Sequence, residues 1–124
     1  MNILEIEEVV ELHEANINNT GGGSGIRDFG LLESAVLGCC QTFGGVDLYP
    51  TIVDKAAWMA YAICKNHPFV DGNKRSAVVS MLTMLDMNDI TLSYTQQELI
   101  DLGMGVANGE IDFDEIVTWI HKHM

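Results

Sequence analysis

An all-α fold, a compact single-domain bundle of about six helices spanning residues 1–124, follows from three observations. Apolar residues recur at helical spacing over most of the chain, and the long periodic stretches are rich in Ala, Met, Leu and Glu, which favour helix over strand. Only two prolines occur, and glycines mark the breaks between periodic stretches. Of the 124 residues 48% are hydrophobic, enough to bury a core without disulfide or metal staples.

The elements follow in order. Ile6, Val9, Val10, His13 and Ile17 share one face of a first amphipathic helix, which gives way to the stretch Asn18 to Gly25. Gly30 to Leu37 forms a short second helix with Asp28 near its start as a cap. Gly44 and Gly45 break the chain, and Pro50 marks the approach to a third helix, with Ile52, Ala56, Met59, Ala60 and Ile63 on its apolar face. After Asp71-Gly72-Asn73 a fourth helix carries Ala77, Val78, Met81, Leu82 and Leu85. Val79 and Met84 leave it little polar surface, so it is expected to be the central, buried one. Thr95-Gln96-Gln97-Glu98 is a capping-box signature that opens a fifth helix. Asp112 to Glu115 opens a sixth, with Phe113, Ile116, Val117 and Ile120 inward. No repeat, linker or second domain interrupts this order.

Charge and cysteine usage bound the function. Six basic residues against eighteen acidic ones give a net charge of −12, a surface that repels nucleic acid and anionic lipid. Cys39, Cys40 and Cys64 have no C-x-x-C spacing and read as small buried hydrophobes in a reducing compartment. The acidic start is unlike a signal peptide and no apolar run is long enough for a bilayer, so a cytoplasmic protein without a membrane partner is expected. His121 and His123 read as a solvated, fraying tail. His13, on an apolar face, reads as a satisfied histidine, and Met81, Met84 and Met87 as core and helix surface. The Gly21–Gly25 run lacks the ending of a P-loop and reads as a flexible loop.

One segment does not look like scaffold: His67-Pro68-Phe69-Val70-Asp71-Gly72-Asn73-Lys74-Arg75, between the third and fourth helices. A helix start offers unpaired N–H groups and a positive dipole end, a ready anion site. Gly72 permits a tight turn, Asn73 can brace it, and Lys74 and Arg75 add two cations. That combination suits a polyphosphate. His67 is the side chain suited to proton abstraction near neutrality, and Asp71 can hold Mg²⁺ beside phosphates. The same residues also suit an ordinary His-Pro turn and N-cap that need no ligand.

His67 to Arg75 resembles the Fic/Doc signature H-P-F-x-[D/E]-G-N-[G/K]-R at every defined position. Gly25-Ile26-Arg27-Asp28 with Leu31 to Ala35 resembles the matching region of the Doc, or death-on-curing, toxin type, and the similarity covers nearly the whole chain. The resemblance implies the Fic fold with a flap-like loop. It also implies that His67 is the base, that Asp71 is the metal ligand, and that Gly72 and Asn73 form the anion nest. Arg75 then contacts nucleotide phosphates, with Lys65 as a further basic candidate. Gly25, Ile26, Arg27 and Asp28 lie in the flap, where family members dock a target segment by strand addition.

Two departures select among the family's reactions. Lys74 stands where many Fic enzymes have Gly, and Val78 stands where they have a second Arg. Enzymes with both features move AMP; Doc-type members hold the nucleotide inverted. The resemblance therefore implies a toxin of a toxin–antitoxin pair that moves the γ-phosphate of ATP to a Ser/Thr hydroxyl. Its expected target belongs to translation and is of the elongation factor Tu type, with Lys74 joining His67 and Asp71 in the catalytic set. The alternatives are AMP transfer by the same site, a catalytically inactive peptide-binding module, and a metal-dependent hydrolase using His67 and Asp71. No glutamate here fits the inhibitory pattern [S/T]-x-x-x-E-[G/N] of self-restrained Fic proteins, so an antitoxin is expected to act in trans.

Overall fold

The two helices that flank the His67–Arg75 loop form the centre of the molecule. In the computed structural model, which describes residues 1–124, α3 (Ile52–Asn66) and α4 (Asn73–Asp86) pack along each other. Both are buried on most sides. Val53, Ala56, Ala57, Met59, Ala60 and Ile63 of α3 meet Ala77, Val78, Met81, Met84 and Leu85 of α4 in one apolar core. The alanines let the backbones approach closely, while each large side chain withdrawn from water contributes roughly 1.5–3 kcal/mol. The sequence pattern singled out α4 as central; α3 shares that position, because its small alanines count weakly on a hydrophobicity pattern yet pack tightly.

The other helices surround this pair. α1 (Ile6–Thr20) lies on α4 and α2, and extends through Asn18 and Asn19 before Gly21 ends it. α2 (Phe29–Leu37) is capped by Asp28, whose carboxylate accepts the Leu31 N–H at 3.0 Å. α5 (Gln96–Ala107) packs on α4, and α6 (Phe113–Lys122) on α3. The expected capping box at Thr95 and Glu98 is present, with reciprocal bonds of 3.1 and 2.9 Å.

Between α2 and α3 lie a 3₁₀ turn, Gly38–Cys40, and a hairpin of two short strands, β1 (Thr42–Phe43) and β2 (Val46–Asp47). Its turn uses Gly44 and Gly45 at φ 58° and 81°, the left-handed pair that a two-residue hairpin requires. Lys55 of α3 is buried beneath this segment. Its ammonium donates to the Cys39 carbonyl at 3.2 Å and lies 3.8 Å from the Asp47 carboxylate, which is how a charge is tolerated there. No helix is long and apolar enough to cross a membrane.

The C-terminal turn is not a fraying tail. The His123 ring stacks on Trp119 with centroids 4.0 Å apart, and its two nitrogens lie 2.7 Å from the Trp119 carbonyl and 2.8 Å from the Glu98 carboxylate. Position in the sequence gave no hint of this, because both anchors come from folded helices.

Candidate active site

His67 ends α3 in the left-handed region, φ 51° and ψ 54°, where helices usually place Gly. The following Pro68 disfavours right-handed helix at His67 and cannot extend α3. A side chain in this conformation is strained, typically by about 1–2 kcal/mol. Arg27 offsets that cost. Its Nε donates to the His67 carbonyl at 2.7 Å and its Nη2 to the Asn66 carbonyl at 2.9 Å, satisfying two orphan carbonyls at the negative end of the helix. Asn66 in turn donates to the Leu31 carbonyl at 3.0 Å, tying the same end to α2. The imidazole is left at the edge of a cavity of about 540 Å³.

The loop beyond His67 is braced from three sides. On one side the flap segment lies antiparallel to it. Ile26 pairs with Phe69, Arg27 N–H donates to the Pro68 carbonyl at 2.7 Å, and Val70 N–H to the Gly25 carbonyl at 3.1 Å. On the other side the buried Asn73 amide bonds both outward groups of Phe69, accepting its N–H at 2.9 Å and donating to its carbonyl at 3.0 Å. The Asn73 side chain is therefore consumed in holding the loop, and what it leaves for a ligand is its backbone N–H. Beneath, the buried His13 ring stacks on Phe69 at 3.8 Å, nearly parallel, with Nε2 2.7 Å from the Asp71 carbonyl. A carbonyl only accepts, so Nε2 carries the proton.

This bracing presents an anion cradle. Gly72 caps α4 at φ 75°, and the N–H groups of Asn73, Lys74 and Arg75 have no acceptor within the chain. Lys74 and Arg75 line the cavity, and neither is paired with a carboxylate although the chain holds eighteen acidic residues. Asp71 faces the same cavity. Its Oδ1 accepts the Gly72 N–H at 2.8 Å and its Oδ2 the Gly23 N–H at 3.3 Å, leaving lone pairs free on both oxygens. One such carboxylate beside a phosphate cradle fits Mg²⁺, which keeps most of its waters. No three His, Cys, Asp or Glu side chains converge anywhere in the fold to form an all-protein metal cage.

His67, Asp71, Gly72, Asn73, Lys74 and Arg75 thus come together on one cavity. Lys65 does not join them. Two residues before His67 on α3 it is turned about 200° away around the helix, and its Nζ lies 5.9 Å from the Tyr61 ring centroid instead. Arg27 is also placed differently from a docking side chain, since its guanidinium is spent on the end of α3. The flap's outward offer is the backbone of Ile26, whose N–H and C=O point away from Phe69 and have no partner.

Sequence reasoning passed over the far wall. Gln96, Leu99, Ile100, Gly103, Met104 and Ala107 of α5 line the cavity opposite the cradle. Ile100 and Met104 remain about half exposed there, a signal legible as an apolar stripe wider than the core contact of Leu99, Leu102 and Val106 requires. Cys64 also lines the cavity, but burial pushes its thiol up to about 11, so it is no nucleophile. Cys39 is pushed up to about 12, again chiefly by burial. The nearby Lys55, a cation invisible in the local sequence, does not outweigh it.

Fold and site together define the class: a small helical protein whose loop between two central helices cradles an anion beside a histidine. The model of the Fic/DOC family matches residues 3–85, and the chain belongs to that family. It is 40% identical over 100 residues to Toxin Doc of Mycolicibacterium smegmatis, covering 79% of this chain and 77% of that one. It is 33% identical over 116 residues to Protein kinase doc of Escherichia phage P1, covering 94% of this chain and 90% of the relative. These relatives place it with the Doc type of the superfamily.

Proposed function

We propose that this protein is the toxin of a toxin–antitoxin pair and transfers the γ-phosphate of ATP to a Ser/Thr hydroxyl of a target protein in translation, of the elongation factor Tu type. The observation that carries the reading is the pair of unpaired cations, Lys74 and Arg75, at a helix start with three free N–H groups, beside a strained, anchored histidine. Two of the chain's six basic residues stand side by side at this concave point, which concentrates positive charge where a polyphosphate can be held.

Each residue then has a task. The N–H groups of Asn73, Lys74 and Arg75, with the latter two side chains, hold the phosphates and neutralise charge as it spreads in transfer. His67 takes the proton of the acceptor hydroxyl. The acceptor oxygen bonds to the γ-phosphorus while the bond to the β-phosphate oxygen breaks, and ADP leaves. Asp71 would hold Mg²⁺, which when bound offsets phosphate charge. The free edge of Ile26 would align an extended target segment by strand addition, with the acceptor near His67. Lys74 within the cradle and Val78 on the cavity wall favour phosphate over AMP transfer, in keeping with the name of the phage P1 relative. Ile100 and Met104 on the rim form an apolar wall suited to an amphipathic helix of an antitoxin, folding as it binds.

The test is labelling of a bacterial lysate with the purified protein and either γ-³²P or α-³²P ATP. Label from γ-³²P alone is expected, with His67→Ala reducing it by ~10²–10⁴-fold. Label from α-³²P would establish AMP transfer instead. Label from neither, in a lysate where the target is intact, would leave a peptide-binding module.

A further inference from the structure

The glycine run between α1 and the flap has the composition of a flexible spacer, yet it is packed on Asp71. Gly22 sits at φ 106°, and a Cβ there would lie 2.7 Å from Asp71 Oδ2 and 3.4 Å from its Cγ. Gly23 donates its N–H to the same oxygen at 3.3 Å, and its own Cβ would come 3.0 Å from Val70 Cγ1. The remaining oxygen of Asp71 takes the Gly72 N–H at 2.8 Å. The carboxylate is therefore touched by backbone on two sides, once from its own loop and once from a segment 48 residues upstream. Gly21 makes the contrast. It has the same left-handed need, φ 78°, but nothing lies within 4 Å of a Cβ there.

We infer that the Gly22–Gly23 backbone is a positioning element for Asp71, a rest that fixes the direction in which the carboxylate faces the phosphate-bearing ligand. The inference depends on the proposed reading of Asp71 as the group facing metal and nucleotide. An exposed aspartate ordinarily samples several rotamers, and each must be abandoned when a metal is bound. A bond of 3.3 Å is weak by itself, so close steric contact does much of the restraining. Only glycine can supply that contact, because the position demands both a positive φ and the absence of a Cβ. Hydrogen bonds behind a metal ligand act in this way, orienting it before the ion arrives.

The experiment measures binding rather than turnover. Calorimetric titration with the β,γ-imido analogue of ATP, with and without Mg²⁺, is run on the wild type, Gly22→Ala and Gly21→Ala. Gly21→Ala carries the conformational penalty without the approach to Asp71. The Mg²⁺-dependent gain in affinity is expected to fall by about 10- to 100-fold in Gly22→Ala, to persist in Gly21→Ala, and Mg²⁺-free binding to be alike in all three. An undiminished Mg²⁺ gain in Gly22→Ala overturns the inference alone. Absence of any gain in the wild type overturns the metal reading of Asp71 and the inference with it. Should Gly22→Ala fail to fold, the wild-type Gly23 amide resonance decides. It should move on adding Mg²⁺ with the analogue and on Asp71→Asn, and an amide indifferent to both overturns the positioning role.

Discussion

Replacing His13 by Phe isolates one hydrogen bond beneath the loop. The Phe ring keeps the stack on Phe69, now centred at 3.8 Å and nearly parallel, while the N–H that meets the Asp71 carbonyl at 2.7 Å is lost. A net hydrogen bond is worth about 1 kcal/mol, and leaving the partly buried carbonyl unpaired adds to that, up to about 1–3 kcal/mol in all. The extra apolar character of Phe returns a little, so a destabilisation of about 1–2 kcal/mol is expected, or roughly 3–5 °C of Tm per kcal/mol for a chain of this size. His13→Ala removes the stacked ring as well and should cost about 3–5 kcal/mol, as for other large-to-small core changes. Urea unfolding monitored by circular dichroism measures both, with an unchanged m-value showing that the same surface is exposed. If His13→Phe stays within about 0.5 kcal/mol of wild type, the scatter of inert surface changes, the carbonyl is not held by His13 and this account of the loop fails.

Three further outcomes concern other parts of the fold. Hydrogen bonding to Glu98 holds the His123 pKa above its ordinary 6.5, and the same bond holds Glu98 below its ordinary 4.5. The histidine's contribution is full below pH 6.5 and lost as pH rises through its raised value; the glutamate's is full above pH 4.5 and lost as pH falls through its lowered value. The stability difference between wild type and His123→Ala, from urea midpoints, should therefore be greatest between these pH values and shrink at pH 9; a flat difference refutes the ion pair. On α5, Gly103→Ala should stabilise by about 0.5–1 kcal/mol through helix propensity, because its Cβ would meet neighbours at ordinary distances of 3.6 Å and beyond. Gly105→Ala should destabilise, since its Cβ would come 2.8 Å from Ile111 Cγ1. Thermal shifts of the same sign for both would refute this packing.

Six helices were legible in the sequence because each carries its own local signal: an apolar stripe, a capping pattern such as Thr95 to Glu98, or a glycine break. The loop from His67 to Arg75 stood out in the sequence because its candidate groups are contiguous in the chain, and His67, Asp71, Gly72, Asn73, Lys74 and Arg75 line one cavity. The residues that hold the site in shape were not legible. Arg27 read only as part of the flap, His13 as a satisfied histidine on an apolar face and Gly22 as flexible loop. Their roles are set by partners 39 or more residues away. A helix stripe or a cap is decided within a few residues, so sequence determines it. Which carbonyl a buried imidazole meets, or which carboxylate a glycine leaves room for, is decided only when separate segments are brought within 3 Å. Nothing local in the chain encodes that distance.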